Sequence, residues 1–540
     1  MRRPNGHVTD PDLDRALEAM TAPELRSFVR GVLDGIDDDQ RATFVDSLVA
    51  RAARGDSGWT PSQPSRWIVD EAAQFAQAAR SIGSADPDDV SAHLRQGSKA
   101  FLAGDHASAR AVFEALLPPI ANVDVDLGQH ELVDDVLNVD ARIVVAQYVT
   151  SVYTTTPLDE RARAVDDAIQ RVEGFASLGN PIADMEGASA GALPELGLFL
   201  PRWVKRLERL RPSKEDWENE HERWLREAVF RSEGVDGLER VARKTKRPQA
   251  CLAWCETLAV RGDWAVALRA YDVSAALVGK SHWRGELLDG AALAAQRLGR
   301  SDVSKRLEAA WRAVPTLTRL LRWLVADGRA PTVLRAKAKE IVARCPRTAG
   351  RQLGLLRVLL GDLRAAADLL LKAPGLGWSS VDHPGHVLFP LFAVLLANGT
   401  PRTVSDALLA ELESTSRDPL EVFSDDDVER RPKLATPSIS ALAHDLCSSI
   451  ELDQTDREAM LGAMRIAAER RIEGILSNSR RRHYGHAAML VASCLALAPT
   501  ERHNDLSAWM VGLRQTYSRR HAFREELTRA MESVGASVSA

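Results

Sequence analysis

The chain of 540 residues is 45% hydrophobic and 27% charged, proportions that exclude a disordered chain and allow a sizeable core. It is too long for one ordinary compact domain, so it forms several domains or one array whose units touch only their neighbours. A formal net charge of -5 excludes global attraction to nucleic acid or anionic membrane and leaves any such contact to a local patch.

The five cysteines, Cys251, Cys255, Cys345, Cys447 and Cys494, are odd in number, and most fall in apolar helical stretches, where a free thiol packs as a small hydrophobe. A reducing, cytoplasmic compartment is expected. The segment MRRPNGHVTDPDLD has two arginines but no apolar run after them. No uncharged apolar stretch approaches the ~18 residues of a membrane span, so neither secretion nor membrane insertion is expected.

In chain order, Leu25, Phe28, Val29, Val32 and Leu33 share one helix face, as a period of 3.6 requires. Thr21 and Glu24 have capping-box spacing, and Pro23 sits in the first turn, where its missing N–H does no harm. A second helix turns Phe44, Val45, Leu48 and Val49 inward after Asp37, Asp38 and Asp39, acids that suit a helix N-terminus. Residues 1–54 are therefore expected to form a helical hairpin, and 55–66, with GDSGWTPSQP, a linker.

Residues 67–178 form a helical region containing LRQGSKAFLAGDHASARAVFEALLP, Leu94 to Pro118. There Gly97, Ala100 and Ala109 permit close helix approach, Gly104 and Asp105 turn the chain, and Phe113 and Leu116 fill the groove. This pattern resembles a tetratricopeptide unit. It recurs from Trp254 to Tyr271 around Gly262, Asp263 and Ala267, and from Leu353 to Leu370 around Gly354, Gly361, Asp362 and Ala366. A degraded copy lies at Leu298, Gly299 and Trp311 to Pro315. A two-helix unit cannot bury its apolar face alone, so neighbours stack on it.

The expected fold is all-α, an elongated solenoid of stacked antiparallel helix pairs. Val-rich pieces such as Ala141 to Val149 are read as buried helix. A break is expected at 179–197, a helical repeat array over 198–413, an acidic linker with Asp425, Asp426 and Asp427 over 414–437, and a basic helical region over 438–540. The basic bias of that last region comes from Arg470, Arg471, Arg480, Arg481, Arg482, Arg514, Arg519, Arg520, Arg524 and Arg529.

Few motifs carry chemistry. His383 and His386 flank Pro384 and Gly385 beside Asp382, but zinc takes about four ligands and no complementary pair stands elsewhere. A turn before a buried helix, Val387 to Leu396, accounts for that segment. His483 and His486 lie three apart beside Arg480 and Arg482, a spacing suited to phosphate or partner contact and equally to a solvated helix start. His130, Glu131 and Asp134 approach a metalloprotease motif, with aspartate where the second histidine must be. Cys251 and Cys255, one turn apart, are expected to pack.

No P-loop or nucleophile elbow is present, and Gly375 and Gly377 are too few for a dinucleotide fingerprint. Trp203, Trp217 and Trp224 stand among Arg202, Lys205, Arg206, Arg209 and Arg211, but acids interrupt them. The seven-residue spacing of Trp217 and Trp224 is a core stripe.

The segment ILSNSRRRHYGHAAMLVASCLALAP with LRQTYSRRHAFREEL, within Ile475 to Ala530, resembles the helical tail beside SWIM zinc-finger modules of bacterial proteins, as does the hairpin from Leu17 to Leu48. The zinc-binding C-x-C…C-x-H pattern is absent. The resemblance implies a helical scaffold of the kind that accompanies larger assemblies, without the zinc.

Three functions follow as expectations. The first is a non-catalytic scaffold holding a protein or peptide partner on the surface from Leu94 to Leu370. The second is a nucleic-acid-associated subunit using the arginine-rich C-terminal helices. Contacts for phosphate or partner are assigned to Arg480, Arg481, Arg482, His483, His486, Arg519 and Arg520. The third, an enzyme, requires His383, His386, His483 and His486 to converge. No catalytic residue, cofactor or metal ligand is assigned.

Overall fold

The structure is a computed structural model that describes residues 17–55, 59–65, 67–129, 132–189, 192–214, 217–397, 406–416, 432–447, 449–498 and 503–534. Among these residues the fold is all-α. No strand forms, and one isolated bridge joins Ser84 to Asp126. The contacts divide the chain into two compact units, 1–238 and 239–540. That division lies at neither expected break: 179–197 contains a helix, Pro181–Ala188, and most of 414–437 lies outside the described residues, including Asp425, Asp426 and Asp427.

The first unit runs through α1 (Ala22–Gly35), α2 (Asp38–Arg54), α3 (Ile68–Ile82), α4 (Pro87–Leu102), α5 (His106–Ala121), α6 (Ala141–Thr155), α7 (Leu158–Val172), α8 (Pro181–Ala188) and α9 (Leu196–Leu207). α4 packs on α5, α5 on α6 and α6 on α7, while α8 packs back on α6. The turn between α4 and α5 uses Gly104 at φ 84°, a left-handed conformation that glycine adopts without a Cβ clash. Asp105 then caps α5 by accepting from the Ser108 N–H at 3.1 Å. A methyl on Gly97 would lie 2.8 Å from Phe113 Cε1, so the small residue is what lets Phe113 lie against α4. Ala100, Ala109, Phe113 and Leu116 are all buried.

The helix Glu220–Thr245, α10, contains the division between the units and is interrupted at Gly234, φ 67°. The second unit continues through α11 (Pro248–Val260), α12 (Trp264–Val278), α13 (Arg284–Arg297), α14 (Val303–Ala313), α15 (Leu317–Leu324), α16 (Pro331–Val342), α17 (Gly350–Leu360), α18 (Leu363–Lys372), α19 (Gly385–Leu396) and α20 (Asp406–Ser414). It ends with α21 (Ile439–Cys447), α22 (Gln454–Ser477), α23 (Tyr484–Ala496), α24 (His503–Thr516) and α25 (His521–Ser533).

The remaining repeat-like turns, Gly262, Gly299 and Gly361, also have positive φ and join successive helices. Tyr271 of α12 lies so close to Gly290 of α13 that a methyl there would come within 2.2 Å of its ring, and Gly354 makes the same room for Leu388 of α19. After α19 the stacking order changes, because α22 packs along α18 and α19 and α23 along α22. One continuous core therefore reaches from Ala292 through Phe389 and Met464 to Met531, joining helices on either side of 414–437.

Two packing expectations fail. Phe44, Val45 and Leu48 of α2 are exposed, not inward, since no described element covers that side of the helix. Trp203 and Trp224 are buried, but Trp217 is 59% exposed. It precedes the start of α10 at Glu220, so helical spacing does not govern it. Packing does hold for Cys251 and Cys255, both fully buried, with Cys255 Sγ 3.3 Å from Ser274 Oγ.

Candidate functional site

Within the second unit, four elements bring polar side chains to one place. Trp378 and His383 lie in the turns before α19, His386 is in its first turn, Glu411 is on α20, Arg471 on α22 and His486 on α23. The Pro384–Gly385 turn starts α19 and sets His383 and His386 on different sides. His383, almost fully buried, accepts from the Gly385 N–H at Nδ1, 3.0 Å, so its Nε2 carries the proton and donates to Pro374 O at 2.9 Å. Burial, first of all, lowers its pKa, and His386, Arg471 and Arg351 add to this, so it stays neutral. Its ring stacks on Trp378 with centroids 5.0 Å apart.

His386 takes the opposite course. Its Nε2 lies 3.0 Å from Glu411 Oε1, and His486 Nε2 lies 3.1 Å from the same oxygen. The two imidazole centroids are 5.6 Å apart, and both rings pack against Trp378. Arg471 Nε donates to His486 Nδ1 at 3.3 Å. A guanidinium can only donate, so His486 Nδ1 is the acceptor and its Nε2 bears the proton that points at Glu411.

Burial opposes the charge on Glu411, but hydrogen bonds from His386 and His486 outweigh it and bring the carboxyl down to about 2. Glu411 is therefore a carboxylate throughout the neutral range. Burial lowers Arg471 to about 10, with Arg480 adding to the effect and Glu411 resisting it. Arg351, also buried and lowered first by burial, donates Nη2 to Trp378 O at 3.2 Å and to Ser379 O at 3.3 Å.

The structure thus brings His386 and His486, from different H-x-x-H pairs, to Glu411, while His383 stacks on the same Trp378 but bonds Pro374 O instead. His483 stays outside, accepting from Arg482 Nε at 3.2 Å. Glu411 has no spacing relationship to either histidine, and Trp378, Arg351 and Arg471 have none to one another. No sequence signal joins them, because α19, α20, α22 and α23 meet only through tertiary packing. His130 and Glu131 lie outside the described residues.

A second arrangement lies on the surface of the same unit. Arg480, Arg481, Arg482, Arg519 and Arg520 are all exposed. Arg520 Nη2 donates to Leu476 O at 3.3 Å, which brings the 519–520 pair beside the turn that carries the other three. Among the described residues none of the five meets a carboxylate at ion-pair distance. Arg470 and Arg471 are not part of this surface: Arg470 donates to the carbonyls of Leu371 and Ala373 at the end of α18, and Arg471 is buried.

No helix of the described residues is long and apolar enough to cross a membrane. No protein-family model and no curated protein matches the chain.

Proposed function

We propose that the chain is a non-catalytic, cytoplasmic binding scaffold built of tetratricopeptide-like helix pairs, and that its helix α1 holds an amphipathic helix of a protein partner. The observation that carries this is that α1 buries none of its residues although Phe28, Val29, Val32 and Leu33 line one face of it. Its N-terminus carries the Thr21–Glu24 pairing of a capping box: the Thr21 backbone N–H and hydroxyl both donate to Glu24 Oε2, at 2.8 and 2.7 Å. A short helix gains most of its stability from packing its apolar stripe, so a helix whose Phe28 and Val32 are exposed and whose Val29 and Leu33 are only half-buried calls for a covering element.

On α2, Phe44, Val45 and Leu48 are exposed too, and Arg95 fixes the other side of that helix by holding Asp46 at 2.7 Å. Arg26 and Arg30 stand exposed along α1. A partner helix with an apolar stripe at i, i+3, i+4 and i+7 flanked by acids matches both features. The test is affinity purification from native cells after nuclease treatment, comparing the wild-type chain with a Phe28→Asp, Leu48→Asp variant. A protein retained by the first and lost by the second supports the proposal; equal retention by both contradicts it.

A second reading, a nucleic-acid-associated subunit, is favoured by five exposed arginines that meet no carboxylate among the described residues. It predicts binding to single-stranded nucleic acid that weakens steeply with salt, by roughly 0.7 log units per phosphate contact for each tenfold rise. Binding that is indifferent to salt, or to replacement of Arg480, Arg481, Arg482, Arg519 and Arg520 by Gln, rules it out.

A further inference from the structure

We propose that His386, Glu411 and His486 form a binding site for a divalent transition-metal ion of the zinc, cobalt or nickel class, with Arg471 holding its affinity in check. The three ligand atoms, two imidazole nitrogens and a carboxylate oxygen, all lie within 4.8 Å of one another. A tetrahedral ion with bonds of about 2.0 to 2.1 Å sets its ligand atoms about 3.3 Å apart. The Nε2 to Oε1 distances of 3.0 and 3.1 Å come within a few tenths of an ångström of that. Two histidines and one carboxylate leave a coordination position for water, and imidazole and carboxylate together suit these borderline ions better than magnesium or calcium.

Access and rigidity also fit. His386 and His486 keep side-chain exposures of 20% and 18%, so an ion can enter without opening the core. Trp378 packs on both rings and fixes their orientation.

Arg471 works against the ion in two ways. Its charge, with that of the nearby Arg351, repels a cation from the carboxylate that both guanidiniums face. Its Nε–H also fixes the proton of His486 on Nε2, the atom that must ligate. When the ion takes Nε2, that proton moves to Nδ1, which then faces a donor; Arg471 must release this bond and keep only the one to Gly375 O, 3.3 Å away. In metal sites the partner of the second ring nitrogen is normally an acceptor, and changing it alters affinity by about 10- to 100-fold. Arg471→Gln removes the charge and offers an amide oxygen to Nδ1–H.

The experiment is titration of untagged, chelator-treated full-length protein with zinc and with cobalt, read by calorimetry and by the visible spectrum of bound cobalt. The expected result is saturable binding of a single ion per chain, loss of it in His386→Asn and in His486→Asn, and affinity tightened about tenfold or more in Arg471→Gln. X-ray absorption of the wild-type complex, which needs no variant to fold, is expected to show two imidazoles on the metal. No saturable binding by the wild-type chain, binding that survives both histidine replacements, or absorption without imidazole scattering overturns the proposal. Unchanged or weakened binding in a folded Arg471→Gln overturns the part assigned to Arg471.

Discussion

Arg319 on α15 donates its Nε–H to Asp289 Oδ2 on α13 at 2.7 Å, with both residues buried. Arg322 reaches the same oxygen from 3.4 Å, and Arg319 also holds Glu286 at 2.6 Å. Helices two apart in the unit's order, α13 and α15, are thereby tied by charge. Removing one partner of a buried pair strands the other in low dielectric and typically costs about 3 to 5 kcal/mol. Asp289→Ala is expected near the lower end, since Glu286 remains to Arg319. Denaturant unfolding checks this, and a loss within about 0.5 kcal/mol, the range of an ordinary surface change, would contradict it.

Glycines divide into two kinds. Gly290→Ala drives a methyl to 2.2 Å from the Tyr271 ring and is expected to destabilise by about 1 to 3 kcal/mol through overpacking. Gly462, in the interior of α22, has nothing within reach of a Cβ. There Ala is expected to stabilise by roughly 0.5 to 1 kcal/mol, because it restricts the unfolded chain more than glycine does. Thermal melts of the two variants should move in opposite directions.

Glu227, on α10 in the first unit, is pushed up to about 7 by burial, with Glu186 and Asp184 adding to the effect against Arg231. Arg231 Nε stands 2.8 Å from Glu227 Oε1, yet neither carboxylate oxygen has an aligned donor. The folded pKa lies above the ordinary 4.5, so the folded state holds the proton more tightly than the unfolded state. Its stabilising contribution is complete below about pH 4.5 and is lost as the pH rises through about 7. Glu227→Gln should flatten that decline. Measured from about pH 5 to about pH 8, a wild-type stability that falls no faster than that of the variant would refute the assignment.

The thiols of Cys251, Cys255, Cys345 and Cys494 are all buried, and burial raises each of them, Cys345 to about 11. Thiolate is the reactive form, so all four should resist alkylation in the native protein and react once it unfolds. Peptide mapping after brief treatment with iodoacetamide checks this site by site. Rapid native labelling of any of the four would show that its helix packing opens.

The helix pairs were legible because their signals are local. Gly104, Gly262, Gly299 and Gly361 each end a helix where the next must turn back, and Gly97 and Gly354 sit where a large side chain crosses. Inward and outward faces were less legible: Phe44 and Leu48 have the spacing of a core stripe, but spacing cannot say whether a neighbour exists to cover it. The metal-ligand cluster was hidden for a related reason. His386, Glu411 and His486 lie on three helices whose meeting depends on α22 packing back along α18 and α19 and on α23 packing along α22, which no periodicity encodes. Both H-x-x-H pairs were visible, yet each contributes only one histidine.

The scaffold proposal is tested most directly by a photo-crosslinking amino acid placed at position 28 of the full-length chain in native cells, with position 462 on α22 as the control. The account predicts that position 28 captures one defined protein, joined through an amphipathic acidic helix, and that position 462 does not. A position 28 that crosslinks to nothing, or to the same mixture as the control, would contradict it.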